Sequence, residues 1–462
     1  MWRYCISAIA CAGHAITESV APRRDRRPAV TGVLELAGIG IGPANLSLAA
    51  LCEEAGKAER TRFFDRKAGF SWHRGMMLPG ARLQCSWIKD LVTPVAPTSR
   101  FGFLSYLAAR QRLFAFVNAG FETVSRTEFA DYLGWVAGQL PTLHWDSPLR
   151  DLAFEAGAFT AQVGCERVRT QHLVLGLGHE PAFPACLEPH LGQGCLHAAE
   201  FLERMPAIVG RHVVVIGGGQ SGAEIVLHLL RSAKPPASIA WVSRRSNFLP
   251  LDETHFSNEH FTPAYVKHFF ELPADRRVTL LQEQRMMSDG ISPSTLRELY
   301  AEVYRLRFLE KVPPVPRLLP GHSVVGCTSW RGALGIELRS ADTGAGQRIV
   351  ADLVIAATGY RVALPPCLEA LGIAWDAVTG TPMLGRCYAI SWDGPAANRI
   401  YLQNAGRVSH GVADPQLALL AWRSATILND ALGREVFPLG TEASLIEWSR
   451  HSEHNEACSI CE

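Results

Sequence analysis

Two strand–glycine turn–helix segments, at Gly38 and at Gly217, predict an α/β fold with two Rossmann-like dinucleotide-binding domains. A strand closed by glycine follows each of them, Gln171–Gly178 and Asp352–Gly359, which predicts that the second domain is inserted in the first. Composition agrees. With 48% hydrophobic and 19% charged residues, a chain of 462 residues is not disordered over most of its length and has room for about three domains.

The first element is the β-type run Val33–Ala37. It enters Gly38-Ile39-Gly40-Ile41-Gly42-Pro43-Ala44-Asn45 and the helical run Leu46–Leu51, after which Arg62-Phe63-Phe64 ends at Asp65. A phosphate-binding turn needs backbone N–H groups unobstructed by Cβ atoms, aimed at an anion from a helix N-terminus. Gly38 and Gly40 fit its first two positions, while Pro43 stands at the third and Gly42 comes one place early. Asp65 closes the next strand, where a carboxylate can accept from ribose hydroxyls. The plain alternative is a tight strand–helix connection.

In the second unit, Val213–Ile216 suits a central parallel strand, and Gly217, Gly219 and Gly222 of Gly217-Gly218-Gly219-Gln220-Ser221-Gly222 match all three positions. A helix is expected from Ala223 to about Arg231, then a strand from Ser238 to Val242. That strand ends at Ser243-Arg244-Arg245 instead of an acid. An acid would repel a 2′-phosphate and arginine can grip one, so NADPH is expected over NADH; the alternative for Arg244 and Arg245 is a solvated surface pair. The expected division is a disordered extension over 1–32, a first FAD-binding part over 33–205, an inserted NADPH-binding domain with substrate-site segments over 206–345, a second FAD-binding part over 346–445, and a His/Cys-containing tail over 446–462. The last clear element is a helix with Asp414 as N-cap, Pro415 at N1, an apolar face through Leu417, Leu420, Ala421, Ser424, Ile427 and Leu428, and Gly433 as its stop.

Lys plus Arg is 45 and Asp plus Glu 44, a balance that gives no reason to expect nucleic acid or an anionic membrane as partner. The twelve scattered cysteines do not resemble a secreted disulfide framework and point to a reducing, cytoplasmic setting. No apolar run reaches the roughly 18 residues of a membrane span. Cys, Ser and Gly interrupt the apolar stretch Ile6–Ala12, which makes a poor signal peptide. A homo-oligomer is left open.

Two nested nucleotide folds suggest FAD plus NADPH, with electrons passed to a disulfide or to O₂. A disulfide reductase needs a Cys-x-x-Cys beside the flavin. The only such pair, Cys458–Cys461, lies outside both nucleotide folds, so oxygen chemistry is favoured. Two alternatives stand beside it: a disulfide reductase using that pair as a mobile arm, and a metal-binding tail of His451, His454, Cys458 and Cys461. No metal is assigned to the site itself.

The sequence resembles the N-hydroxylating flavin monooxygenases of hydroxamate siderophore biosynthesis, the lysine N6-hydroxylase and ornithine N5-hydroxylase family. The matching segments are Gly38–Leu46, Phe64–Lys67, Leu83–Leu91 (Leu-Gln-Cys-Ser-Trp-Ile-Lys-Asp-Leu), Gly217–Glu224, Ala357-Thr358-Gly359-Tyr360 and His410-Gly411. Segments Ser288–Ile291, Tyr360–Pro365 and His410–Leu417 are most similar to the lysine branch, which also holds diamine hydroxylases of the alcaligin type. The resemblance implies that NADPH reduces FAD, that O₂ adds at flavin C4a, and that a neutral amine attacks the hydroperoxide and becomes a hydroxylamine. It implies Gln84 beside the flavin as the catalytic residue, and Lys89, Asn258 and Ser288 at the substrate. The cofactor set it implies is Gly38, Gly40, Gly42, Pro43, Asp65, Gly217, Gly219, Gln220, Ser221, Gly222, Arg244, Arg245, Thr358, Gly359, His410 and Gly411. The plainer readings are a buried structural amide for Gln84, an ion pair with Asp90 or another acid for Lys89, an Asx turn or helix cap for Asn258, a turn residue for Ser288 and a structural histidine for His410. Ser288 and Ala413 stand where the ornithine enzymes carry asparagine and serine, which argues for lysine, putrescine or cadaverine as substrate.

Overall fold

The computed structural model describes residues 32–204, 208–440 and 444–448; the expected N-terminal extension up to residue 31 and the tail histidines and cysteines lie outside them. A seven-stranded sheet is built from β1 (Val33–Ile39), β2 (Thr61–Phe64), β3 (Leu143–His144), β4 (Leu149–Glu155), β5 (Ala158–Val163) and β6 (Glu166–Leu175), in the order β3-β2-β1-β6-β5-β4. Its parallel centre is β2-β1-β6, and the last three residues of β6 also pair with a seventh strand from Ile400 to Leu402.

The second sheet holds β7 (Cys195–His197), β8 (His212–Ile216), β9 (Ser238–Val242), β10 (Arg317–Leu319) and β11 (Leu353–Ala356) in the parallel order β10-β9-β8-β11-β7. An antiparallel sheet of His322–Trp330, Ala333–Ser340 and Gly346–Ala351 was not anticipated. Its Leu334, Ile336, Leu338 and Ile349 pack on Val214, Ile216, Ala240 and Val242, closing one face of the second sheet.

Five helices position the site: α1 (Pro43–Glu54), α2 (Arg126–Ala137), α3 (Gln220–Leu230), α4 (Pro293–Tyr304) and α5 (Leu420–Ala431). Ala44 through Cys52 of α1 are all buried. A helix apolar all round must be covered all round, and α1 shares one core with β1, β2 and α5.

Two expectations are corrected. Strands β7 and β11 belong to the second sheet, although the boundaries at 205 and 346 put both with the first. An apolar run closed by glycine, as at β11, reads the same for either sheet; β11 pairs with β8, and β7 pairs with β11. The chain passes between the sheets at a short antiparallel pair, Glu180–Pro181 with Tyr360–Arg361. The last helix begins at Leu420, after a cis Asp414–Pro415 bond and a 3₁₀ turn at Leu417–Leu419. Asp414 is therefore no N-cap: its carboxylate accepts from the Gly406 N–H at 2.6 Å and pairs with the buried Arg423.

Candidate functional site

Both glycine turns leave a helix N-terminus open. Gly42 and Gly219 are the N-caps of α1 and α3, both extended and neither with a side-chain cap. A Cβ on Gly42 would meet nothing within 4 Å, and one on Gly219 only the Asp289 carbonyl at 3.7 Å. The other glycines serve packing. Gly40, at φ +86°, would place a Cβ 2.4 Å from the Gly176 carbonyl oxygen, and Gly217, at φ +131°, would place one 2.0 Å from that of Ala357. Gly38 lies against the Phe63 ring and Gly222 against the Gly217 carbonyl. Only the open positions offer uncapped N–H groups and room for an anion, which fits a pyrophosphate at each turn.

Asp65 is buried behind the first turn. Its Oδ2 accepts from the Ile41 N–H at 2.6 Å and its Oδ1 from the Lys67 N–H at 2.9 Å, with Lys67 Nζ at 3.4 Å. It braces the turn. Arg244 is exposed, whereas Arg245 is half-buried and donates to the carbonyls of Gly218 at 3.0 Å and Asp289 at 2.8 Å. The expected pair therefore divides: Arg245 braces the turn and Arg244 faces solvent.

Segment 84–93 is pinned from below. Asp90, 1% exposed, accepts from the N–H groups of Val92, Thr93 and Phe103 and from the Thr93 hydroxyl, all within 2.9 Å. Burial pushes its carboxyl up and these donors oppose the rise. Leu91 accepts from Ser47 of α1 and donates to Tyr132 of α2. The expected alternative for Lys89, an ion pair with Asp90, is absent: Asp90 is fully engaged, and part-buried Lys89 forms no ion pair among the described residues.

From that anchored segment Gln84 reaches the second unit, with Nε2 3.2 Å from Ser292 Oγ and 3.5 Å from Gln220 Oε1. Gln220 is fixed in turn. Its Nε2 donates to Glu224 and Thr295, and its Oε1 accepts from the Ser292 N–H at 2.8 Å. Ser221 lies beside it in the first turn of α3 and is partly exposed. Next to Ser292 opens a cavity of about 520 Å³, lined mostly by apolar atoms of Leu249–Thr254, Met286 and Pro293, with Asp252 and Glu253 in its wall.

The remaining expected residues lie around this centre. Ser288 caps no turn; in the short helix Met286–Asp289 it donates to Asp289, which pairs with Arg407 just before His410. Asn258 is exposed, with its amide on the Glu253 carbonyl at 3.4 Å, and no hydrogen bond joins it to Gln84, Lys89 or Ser288. The Thr358 hydroxyl donates to the Ala182 carbonyl, so it holds the crossing between the sheets; Gly359, at φ +84°, faces open space. His410 is corrected to a structural role. It is 1% exposed, stacked on Tyr388 at 4.0 Å, with both ring nitrogens hydrogen-bonded, and burial holds it down at about 4. Gly411, at φ +84°, backs onto the Phe269 ring.

A family model described as L-lysine 6-monooxygenase/L-ornithine 5-monooxygenase matches residues 32–362. The chain belongs to the L-lysine 6-monooxygenase/L-ornithine 5-monooxygenase family. It is 39% identical over 426 residues to the L-lysine N6-monooxygenase of Escherichia coli, across 90% of this chain and 98% of that one. To the putrescine N-hydroxylase of Acinetobacter baumannii it is 30% identical, across 91% and 95%. The solved cadaverine monooxygenase of the desferrioxamine pathway from Erwinia amylovora, bound to FAD, superposes with a TM-score of 0.85 at 27% identity, across 92% of this chain and 100% of that one.

Two groupings were missed from the sequence, although Asn45 and Glu224 fall within its matching segments. Asn45 donates to the carbonyls of Ile39 and Gly40 and accepts from Gln403, which in turn accepts from buried Arg423. Arg126 and Glu224 form a buried two-pronged ion pair between α2 and α3. A lone arginine on an otherwise apolar helix face was the available signal in α5. The disulfide-reductase alternative, whose Cys458 and Cys461 lie outside the described residues, is not favoured, because the matching family model and relatives are N-monooxygenases.

Proposed function

We propose that this chain is an FAD- and NADPH-dependent N-monooxygenase that hydroxylates the terminal primary amine of lysine or of a short diamine, an early step of hydroxamate siderophore biosynthesis. The observation that carries the reading is the placement of Gln84, from a segment anchored on the first unit, against Gln220 and Ser292 of the second. The first glycine turn, at Gly42, would hold the FAD pyrophosphate and the second, at Gly219, that of NADPH, with Arg244 at the 2′-phosphate. When bound, the pair supplies two electrons for the reaction of amine, O₂, NADPH and a proton to hydroxylamine, water and NADP⁺.

The protein's own residues then have three tasks. Gln84 holds the reacting amine and the flavin edge in one geometry. The apolar cavity wall from Leu249 to Leu251 and at Met286 takes the methylene chain. A primary alkyl ammonium, with pKa near ~10.4, has no lone pair to attack with, so the site must favour the neutral form. Lys89 forms no ion pair with a described residue and, with lysine as substrate, meets the α-carboxylate.

The deciding experiment is product-forming turnover across lysine, ornithine, putrescine and cadaverine. For lysine, Lys89→Ala should raise KM by the loss of about 1.5–3 kcal/mol of charged hydrogen bonding; for a diamine it should leave KM within about twofold. Preference for ornithine would contradict the reading of Ser288 and Ala413, and no hydroxylamine from any of the four would overturn the assignment.

We place the enzyme in the cytoplasm with small-molecule partners, an amine and O₂, and no nucleic acid. The near-zero net charge and the scattered cysteines support this. No helix among the described residues is long and apolar enough to cross a membrane.

A further inference from the structure

We propose that Glu224 is a positioning residue for the monooxygenation step, acting through Gln220 on Gln84; this rests on the N-monooxygenase reading above. An amide can face either way, and its neighbours decide which. Glu224 Oε1 can only accept, so Gln220 must turn Nε2 toward it, at 2.9 Å. The Thr295 hydroxyl, at 3.1 Å, holds the same nitrogen. Gln220 Oε1 is thereby presented to the Ser292 N–H and to Gln84 Nε2. Glu224 is itself immobilised from the other unit, because Arg126 of α2 donates to its Oε2 at 3.0 Å and its Oε1 at 2.9 Å. Arg126 also donates to the Met76 carbonyl. One carboxylate, 7% exposed, therefore joins the FAD side, the first turn of the NADPH-side helix and the residue placed at the flavin. Removing its charge frees Gln220 to invert, and an inverted amide would set N–H against N–H at both Ser292 and Gln84. The geometry thus makes the setting of Gln84 depend on the NADPH-binding turn.

The test uses full-length, FAD-loaded protein carrying Glu224→Gln, Thr295→Val or Gln84→Ala, and the double Gln84→Ala/Glu224→Gln. Hydroxylamine formed per NADPH consumed should fall about fivefold in Glu224→Gln, the factor for one net hydrogen bond, and by a smaller factor in Thr295→Val. Hydrogen peroxide should rise in proportion. The double variant should be no worse than the poorer single, because both act on one contact. A second readout needs no amine: the NADP⁺-induced change in flavin absorbance should shrink in both Glu224→Gln and Gln84→Ala. Product per NADPH unchanged in Glu224→Gln, or losses that multiply in the double, would overturn the proposal. If Glu224→Gln does not retain FAD, Thr295→Val and its double with Gln84→Ala decide by the same criteria. A wild-type enzyme that makes no hydroxylamine sinks the functional reading instead, and the spectral change then judges Glu224 alone.

Discussion

Arg244 and Arg245 are adjacent in sequence and differ in what they hold. Arg245 grips two backbone carbonyls across the second glycine turn, while Arg244 faces solvent. Arg244→Ala should therefore weaken NADPH by roughly tenfold and leave NADH nearly unchanged, as expected for one charge-assisted phosphate contact. Arg245→Ala should weaken both coenzymes, because it loosens the turn that binds what they share. Steady-state KM values for the two coenzymes separate these outcomes, and equal use of NADH and NADPH by the unmodified enzyme would remove the 2′-phosphate argument. The sequence named both residues and could not divide their roles, because that depends on where the Gly218 and Asp289 carbonyls point.

The 84–93 segment behaves as one element although it is neither helix nor strand. Asp90 ties its own turn to the start of the next helix through four donors. Asp90→Asn keeps the shape and swaps an acceptor oxygen for a donor, so at least one buried N–H is orphaned at a cost of about 1–3 kcal/mol. The expected result is a lower melting temperature together with poorer coupling of NADPH to hydroxylamine, since Gln84 and Lys89 ride on the same segment. A melting temperature equal to wild type would show that this turn does not depend on the carboxylate. The motif around Gln84 and Lys89 was legible from resemblance; the role of Asp90 was not, and its proximity to Lys89 suggested an ion pair that its own backbone forestalls. At α5 the sequence misplaced the start by five residues. Asp414 and Pro415 have the chemistry of a helix start, but a buried guanidinium competes for the carboxylate and wins.

At the scale of the whole molecule, buried histidines set the acid limit, with His197 held down by burial as His172 and His410 are. Burial holds His172 and His410 down at about 4 from 6.5. His172 Nδ1 accepts from the Arg399 N–H at 3.2 Å, so its ring must be neutral, and His410 lies in the core with both ring nitrogens hydrogen-bonded. Below pH 6.5 the unfolded chain takes up protons that the folded protein refuses until about 4. Stability is therefore full above 6.5 and falls as the pH drops toward 4, by on the order of 3 kcal/mol for each histidine. Thermal melts from pH 7.5 to 4.5 should show this slope, and His410→Gln or His172→Gln should flatten it. A slope unchanged in both variants would assign the acid sensitivity to other groups.

What the sequence by itself determined is local: two glycine turns, the strands that feed them, the missing acid after Val242 and the family resemblance of the 84–91 segment. Each follows from short-range steric and hydrogen-bonding demands written within about 30 residues, the span of a βαβ unit. Tertiary structure alone decided which sheet receives Cys195–His197 and Leu353–Ala356, that Asp65 braces a turn, that His410 is structural, and that Glu224 faces Arg126 across the two units. Those outcomes are competitions between partners distant in the chain for the same edge, carboxylate or ring, and buried polar groups go to whichever partner the packed core brings within reach.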